Sequence, residues 1–124
     1  MAYLEHANIT VDDPQATAAV LQELFGWRIR WQGPGRDGQT VHVGTETSYL
    51  ALYAPRARTQ GQTARYTRLG ALNHIGIVVE DIAAVEQQVI AAGYQPGNHG
   101  DYEPGQRFYF DGPDGVEYEV VSYA

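Results

Sequence analysis

The sequence predicts an α+β fold in which one βαβββ module occurs twice. The eight strands would form a curved mixed sheet, a cup with both helices on its convex side. Three observations predict it. The stretch His6 to Asp13 returns as His74 to Asp81, so that Ile9 aligns with Ile77, Val11 with Val79 and Asp13 with Asp81 at an offset of 68 residues. Each copy passes from a strand-like run into a helix and on to a glycine–aromatic pair, Gly26-Trp27 and Gly93-Tyr94. Both opening strands alternate with period two, keeping one face apolar and leaving a histidine on the other. Such an internal repeat decides the reading of a whole fold.

The elements follow in order. Residues 3–11 read as a strand with Ala7, Ile9 and Val11 on the helix side and His6, Asn8 and Thr10 opposite. Asp13-Pro14 announces a helix, an N-cap acid followed by a proline at the first helical position. Thr17, Val20, Leu21 and Leu24 supply its stripe, and Gly26 ends it. Strands are expected at 27–32, 39–43 and 48–54, with the cluster 33–38 as a turn. The first module covers about 3–54 and a polar linker 55–71, rich in arginine, follows. The second module, about 72–123, opens with a strand at 72–79. Asp81 caps a helix with the stripe Ile82, Val85, Val89 and Ala92. A short strand at 94–96, a Gly/Pro-rich loop at 97–105 and strands at 106–110 and 116–123 complete it. The whole reads as a single domain, 1–124, with module, linker and module in series.

Composition narrows the function classes. With 44% hydrophobic and 19% charged residues in 124, the chain can bury a core and is not of the disordered type. Its formal net charge of -7 repels phosphate backbones, so no nucleic-acid partner is expected. All eight basic residues are arginine. The absence of cysteine removes disulfides, thiolate metal sites and cysteine nucleophiles. No leader-like segment and no run of membrane-spanning length occurs, which makes a cytoplasmic protein without a membrane partner the expectation.

The chemical constellation is His6, His74 and Glu119. The histidines hold the same position in two related modules, so a pseudo-twofold axis would bring them together. Glu119, on the last strand, shares their face. Two imidazoles and a carboxylate suit a divalent metal and leave positions open for substrate, water or dioxygen. A lone strand histidine is more often a hydrogen-bonded rim or core residue; two at equivalent positions weigh against that. Aromatic candidates for lining the cup are Trp31, Tyr49, Tyr53, Tyr102, Phe108 and Tyr109.

The paired His6 to Val11 and His74 to Val79 strands, Phe25 to Trp27, and the ending Tyr109 to Glu119 with its Pro113-Asp114-Gly115 turn resemble the vicinal oxygen chelate superfamily. That group includes glyoxalase I, extradiol dioxygenases, fosfomycin-resistance transferases and bleomycin-binding proteins. The resemblance implies His6, His74 and Glu119 as metal ligands, with Fe2+ or Mn2+ favoured over Zn2+ or Ni2+. It also implies a small-molecule substrate with vicinal oxygens and a homodimer. The family's fourth ligand position falls on Leu50 or Ala51, neither of which binds metal, although Glu46 stands nearby. This departs from the four-ligand glyoxalase I pattern and agrees with the three-ligand one. The carboxyl-terminal part resembles the extradiol dioxygenase signature, which implies His99 as a second-sphere acid/base and Tyr109 as a brace for a bound oxyanion. A lyase, isomerase or transferase of the glyoxalase or fosfomycin type, and a non-catalytic drug- or metabolite-binding protein, are the competing readings.

Overall fold

Local sequence settles the two helices. The computed structural model describes residues 1–59, 64–102 and 105–124, with Tyr102 by its backbone alone. Helix α1, Pro14–Phe25, starts where the Asp13 carboxylate accepts from the Ala16 amide at 3.1 Å. It stops at Gly26, whose φ of 70° is left-handed and whose amide reaches the Gln22 carbonyl at 2.9 Å. Helix α2, Ile82–Ala91, repeats the device, with Asp81 accepting from Ala84 at 3.0 Å. The stripe of α1 is buried at Thr17, Leu21 and Leu24, but Ala18 takes the place expected of Val20. In α2 only Val89 is buried.

The strands fall into two mixed four-stranded sheets of identical topology. The chain divides accordingly into two compact units, Met1–Thr59 and Gln60–Ala124. In the first, β1 (His6–Thr10), β2 (Arg28–Gly35), β3 (Gly38–Gly44) and β4 (Tyr49–Pro55) assemble in the order β1-β4-β3-β2. In the second, β5 (Ile75–Val78), β6 (Gly97–Tyr102), β7 (Gly105–Asp111) and β8 (Glu117–Ser122) assemble as β5-β8-β7-β6. The opening strand of each unit runs parallel to its last strand, and the remaining pairings are antiparallel. The twofold βαβββ organisation read from the sequence is therefore present, with eight strands divided four and four.

Three boundaries depart from expectation. The first strands are shorter than the apolar runs that carry them, so His74 lies just ahead of β5. The 33–38 cluster is mostly strand, because β2 and β3 continue until Gly35 pairs with Gly38. The largest difference is β6: the stretch 94–96 is not strand, while Gly97–Tyr102, read as loop, is. Its glycines lower intrinsic strand preference, but β7 offers an open ladder that any backbone can join. The register slips between Gly97 and Gly100, where Asn98 adopts φ 50°. Part of the expected linker, 60–63, and part of the expected loop, 103–104, lie outside the described residues.

Each sheet has one face under its helix. In the first unit that face holds Val41, Val43, Leu50 and Leu52, all buried. In the second it holds Ile77, Phe108, Phe110, Tyr118 and Val120. Alternation then sends the candidate site residues of both units, except His99, to the opposite, helix-free face.

Candidate functional site

Pairing register places the second unit's polar residues. Glu119 lies opposite Gly76 on β5 and Tyr109 on β7; Glu117 lies opposite Asp111. Glu119 is the centre of a bonded group. His74 Nε2 lies 3.0 Å from its Oε1, and Arg107 Nη1 donates to its Oε2 at 2.8 Å. Both carboxylate and guanidinium are largely buried, with side-chain exposures of 12% and 14%. The Tyr109 ring meets the His74 imidazole edge-on, at 5.7 Å between centroids. Sequence reasoning thus found His74, Glu119 and Tyr109, which come together, and missed Arg107. The signal for it was available: Arg107 is two residues from Tyr109 and shares its face.

Glu117 is buried and separately occupied. It accepts from the Tyr66 hydroxyl and lies 3.6 Å from Arg65 Nη2. Arg65 also donates to the Gly115 carbonyl at 2.6 Å and to Asp111 at 3.2 Å, tying the segment after the linker to the turn before β8. The bond to Glu117, with burial adding to it, raises the Tyr66 phenol to about 12.

His99 sits elsewhere. Its ring packs by Phe108, and its Nε2 is 2.8 Å from Glu86 of α2. Phe108 is core on the helix side, so His99 faces the helix, away from Tyr109 and Glu119. It opens with Ile82, Glu86 and Phe108 onto a cavity of about 340 Å3. Phe108, expected to line the cup, is fully buried instead.

In the first unit, His6 lies beside Tyr49. Its Nδ1 donates to Glu5 at 2.9 Å, and this bond holds Glu5 below the usual carboxylate range. The His6 and Tyr49 rings stack at 4.9 Å; Tyr49 in turn stacks on His42 at 4.6 Å, and His42 meets Trp31 at 5.1 Å. Burial lowers the His42 pKa, and the charges of His6 and Arg30 act in the same direction. Ala51, at the position of Glu119 in the repeat, is buried and offers no ligand. Glu46 pairs with Arg28 at 2.6 Å and is exposed.

Whether these side chains suit a divalent metal can be judged from the second unit. The imidazole of His74 and one oxygen of Glu119 are adjacent donors of the right chemical types. Arg107 binds the other oxygen, the outer bracing that ligating carboxylates commonly have. His74 Nδ1 is buried with no hydrogen-bond partner among the described residues. The pair therefore fits a cation. Among the described residues, no ready-made group of three or more such donors occurs. No helix among them is long and apolar enough to cross a membrane.

Comparison with known proteins agrees with this architecture. A glyoxylase/bleomycin resistance protein/dioxygenase domain from Frankia sp. EAN1pec superposes with TM-score 0.81 at 20% identity, over 98% of both chains. The antibiotic-binding protein TnmS3 from Streptomyces sp. CB03234 gives 0.73 at 15% identity, covering 100% of this chain and 98% of its own. The fosfomycin resistance protein FosX from Listeria monocytogenes gives 0.73 at 15% identity, covering 98% and 93%. At such identities the likeness is one of fold. No curated protein matches the chain. Residues 3–120 match the family model for the Glyoxalase/Bleomycin resistance protein/Dioxygenase superfamily, and the chain belongs to that superfamily, the vicinal oxygen chelate proteins.

Proposed function

We propose that the protein is a divalent-metal-dependent enzyme acting on a small molecule with adjacent oxygen atoms, with His6, His74 and Glu119 as the ligands. The observation that carries this reading is the His74–Glu119 contact at 3.0 Å, on a helix-free face and braced by Arg107. His6 enters by its repeat position. The reading takes residues 1–124 as one domain and a cytoplasmic homodimer as the working form.

A divalent cation held there, Fe2+ or Mn2+ before Zn2+ or Ni2+, would supply Lewis acidity to two neighbouring substrate oxygens. The chain's own groups do the rest. Arg107 fixes the orientation of the Glu119 carboxylate. Tyr109, opposite Glu119 in register and against His74, is placed to donate a hydrogen bond to an oxyanion. Ring cleavage of a catechol-like substrate is the finer form we favour, and it rests on Tyr109 rather than on His99, whose Glu86 contact turns it to the helix side. A four-ligand glyoxalase-type site lacks a donor at Ala51, which disfavours the lyase and isomerase forms.

One observation favours a non-catalytic binder instead. Each oxygen of Glu119 already has a nitrogen of the protein beside it, His74 Nε2 at 3.0 Å and Arg107 Nη1 at 2.8 Å. Titration of chelator-treated protein with Mn2+, followed calorimetrically, separates the two. The enzyme reading expects one equivalent bound, retained in Tyr109→Phe and lost in His74→Ala and Glu119→Ala. Absence of stoichiometric binding in the unaltered protein would favour the binder. Oxygen uptake with catechols under Fe2+ tests ring cleavage.

A further inference from the structure

The helix-free face of the first sheet carries a row of rings of which the metal reading uses only His6. Its four rings come one from each strand: Trp31 from β2, His42 from β3, Tyr49 from β4 and His6 from β1. Their centroid spacings of 5.1, 4.6 and 4.9 Å follow the distance between neighbouring strands, about 4.8 Å. The row therefore runs across the entire sheet, and the backbone ladder sets its pitch.

A bulge adds a charge to it. Ile29 pairs with Val43 and Trp31 with His42, which leaves Arg30 as the extra residue. Strict alternation would send Arg30 and Trp31 to opposite faces. With the bulge, the Arg30 guanidinium lies 4.3 Å over the Tyr49 ring while Trp31 meets His42. Cation and indole thus share one face, with the His42 ring between Tyr49 and Trp31. Trp31 lies down over Gly33, where a Cβ would come within 2.9 Å of the indole, and it remains about half exposed (49%).

Of the five arginines of this unit, Arg28, Arg56 and Arg58 each have a carboxylate, from Glu46, Asp37 and Asp12, whereas Arg30 and Arg36 have none among the described residues. The Nη1 of Arg30 is also buried without a hydrogen-bond partner among the described residues. In a chain with fifteen acids to eight arginines, that is a costly omission. Glu5, the acid nearest this face, is engaged by His6 and by the Tyr49 hydroxyl.

We propose that this face binds a planar aromatic anion, an aryl carboxylate, with Arg30 on the carboxylate and the ring against Trp31. The guanidinium offers a planar fork that matches a carboxylate. The indole offers an exposed flat surface for a ring. The proposal deepens the small-molecule reading of this fold and rests on it, but it needs no cation.

The test is calorimetric titration of chelator-treated full-length protein with naphthoate, naphthalenemethanol and cyclohexanecarboxylate. The expected result is binding of naphthoate at least roughly tenfold tighter than either the neutral or the non-planar probe. Arg30→Gln should remove that preference over the alcohol, Arg30→Lys should restore part of it, and Trp31→Leu should remove the preference over cyclohexanecarboxylate. Circular dichroism of each variant guards against misfolding, and the unaltered protein's preference among the three probes stands without any variant. Equal affinity for naphthoate and its alcohol, or no naphthoate binding, would overturn the proposal. Naphthoate binding with no Mn2+ binding would leave this platform standing while the metal reading fell; the opposite pair of results would do the reverse.

Discussion

Ala51 and Glu119 occupy the same place in their repeats, and so do Tyr49 and Glu117, His42 and Tyr109, and Thr40 and Arg107. One topology thus presents two chemistries. The first unit's free face is a row of rings with a single guanidinium above it. The second unit's face is a set of polar contacts in which each acid has an arginine and one further partner: Glu119 has Arg107 and His74, Glu117 has Arg65 and Tyr66. By contrast His6 and His74, which head the two opening strands, are kept at matching positions. The difference teaches that the fold fixes where a side chain stands and leaves its chemistry open, so a duplicated scaffold can hold a flat surface in one half and a charged one in the other.

The helices differ in the same direction. The inner side of α1 is buried at five positions, whereas α2 buries Val89 alone and leaves Ile90 half exposed. Apolar burial does more to hold the first unit's helix; the second unit relies more on its polar links.

Four experiments press on this contrast. The largest effect belongs to Glu119→Ala. It leaves Arg107 largely buried without its carboxylate and should cost about 4 kcal/mol of stability, measured by urea unfolding. A loss under about 1 kcal/mol would mean that the ionic face is incidental to the second unit. Next comes the helix pair. Leu21→Ala should cost about 3 kcal/mol, and Ile90→Ala less than about 0.5 kcal/mol. Similar losses at the two positions would erase the distinction between α1 and α2.

Tyr118 fills the repeat position of Leu50, and its buried hydroxyl has no hydrogen-bond partner among the described residues. Burial pushes its pKa up. Tyr118→Phe should therefore raise stability by about 1 kcal/mol, read as a higher urea midpoint with an unchanged slope. A fall instead would reveal a partner for that hydroxyl.

The smallest effect concerns pH. The folded Tyr66 phenol keeps its proton to about 12, above its ordinary 10. Its bond to Glu117 accordingly contributes stability below about pH 10 and loses it as pH rises through about 12. Phenolate absorbance in Glu117→Gln should show one tyrosine titrating lower than in the unaltered protein. An unchanged titration curve would remove Glu117 as the cause.

The sequence by itself determined the repeat, the cap residues Asp13 and Asp81, the glycine that ends α1 and the equivalence of His6 with His74. Each is written in local spacing: a cap acts on an amide three residues on, and period two assigns a face with no knowledge of the neighbour. Tertiary structure alone decided the remainder. Gly97–Tyr102 became a strand because β7 offered it a ladder. Arg107 reached Glu119 from an adjoining strand, and Tyr66 reached Glu117 across 51 residues of chain. The bulge at Arg30 turned two consecutive residues to one face, against the alternation that the sequence implies. In every such case the deciding partner lies on another strand or segment, and its hydrogen bond, register slip or charge has no signature in the residues on which it acts.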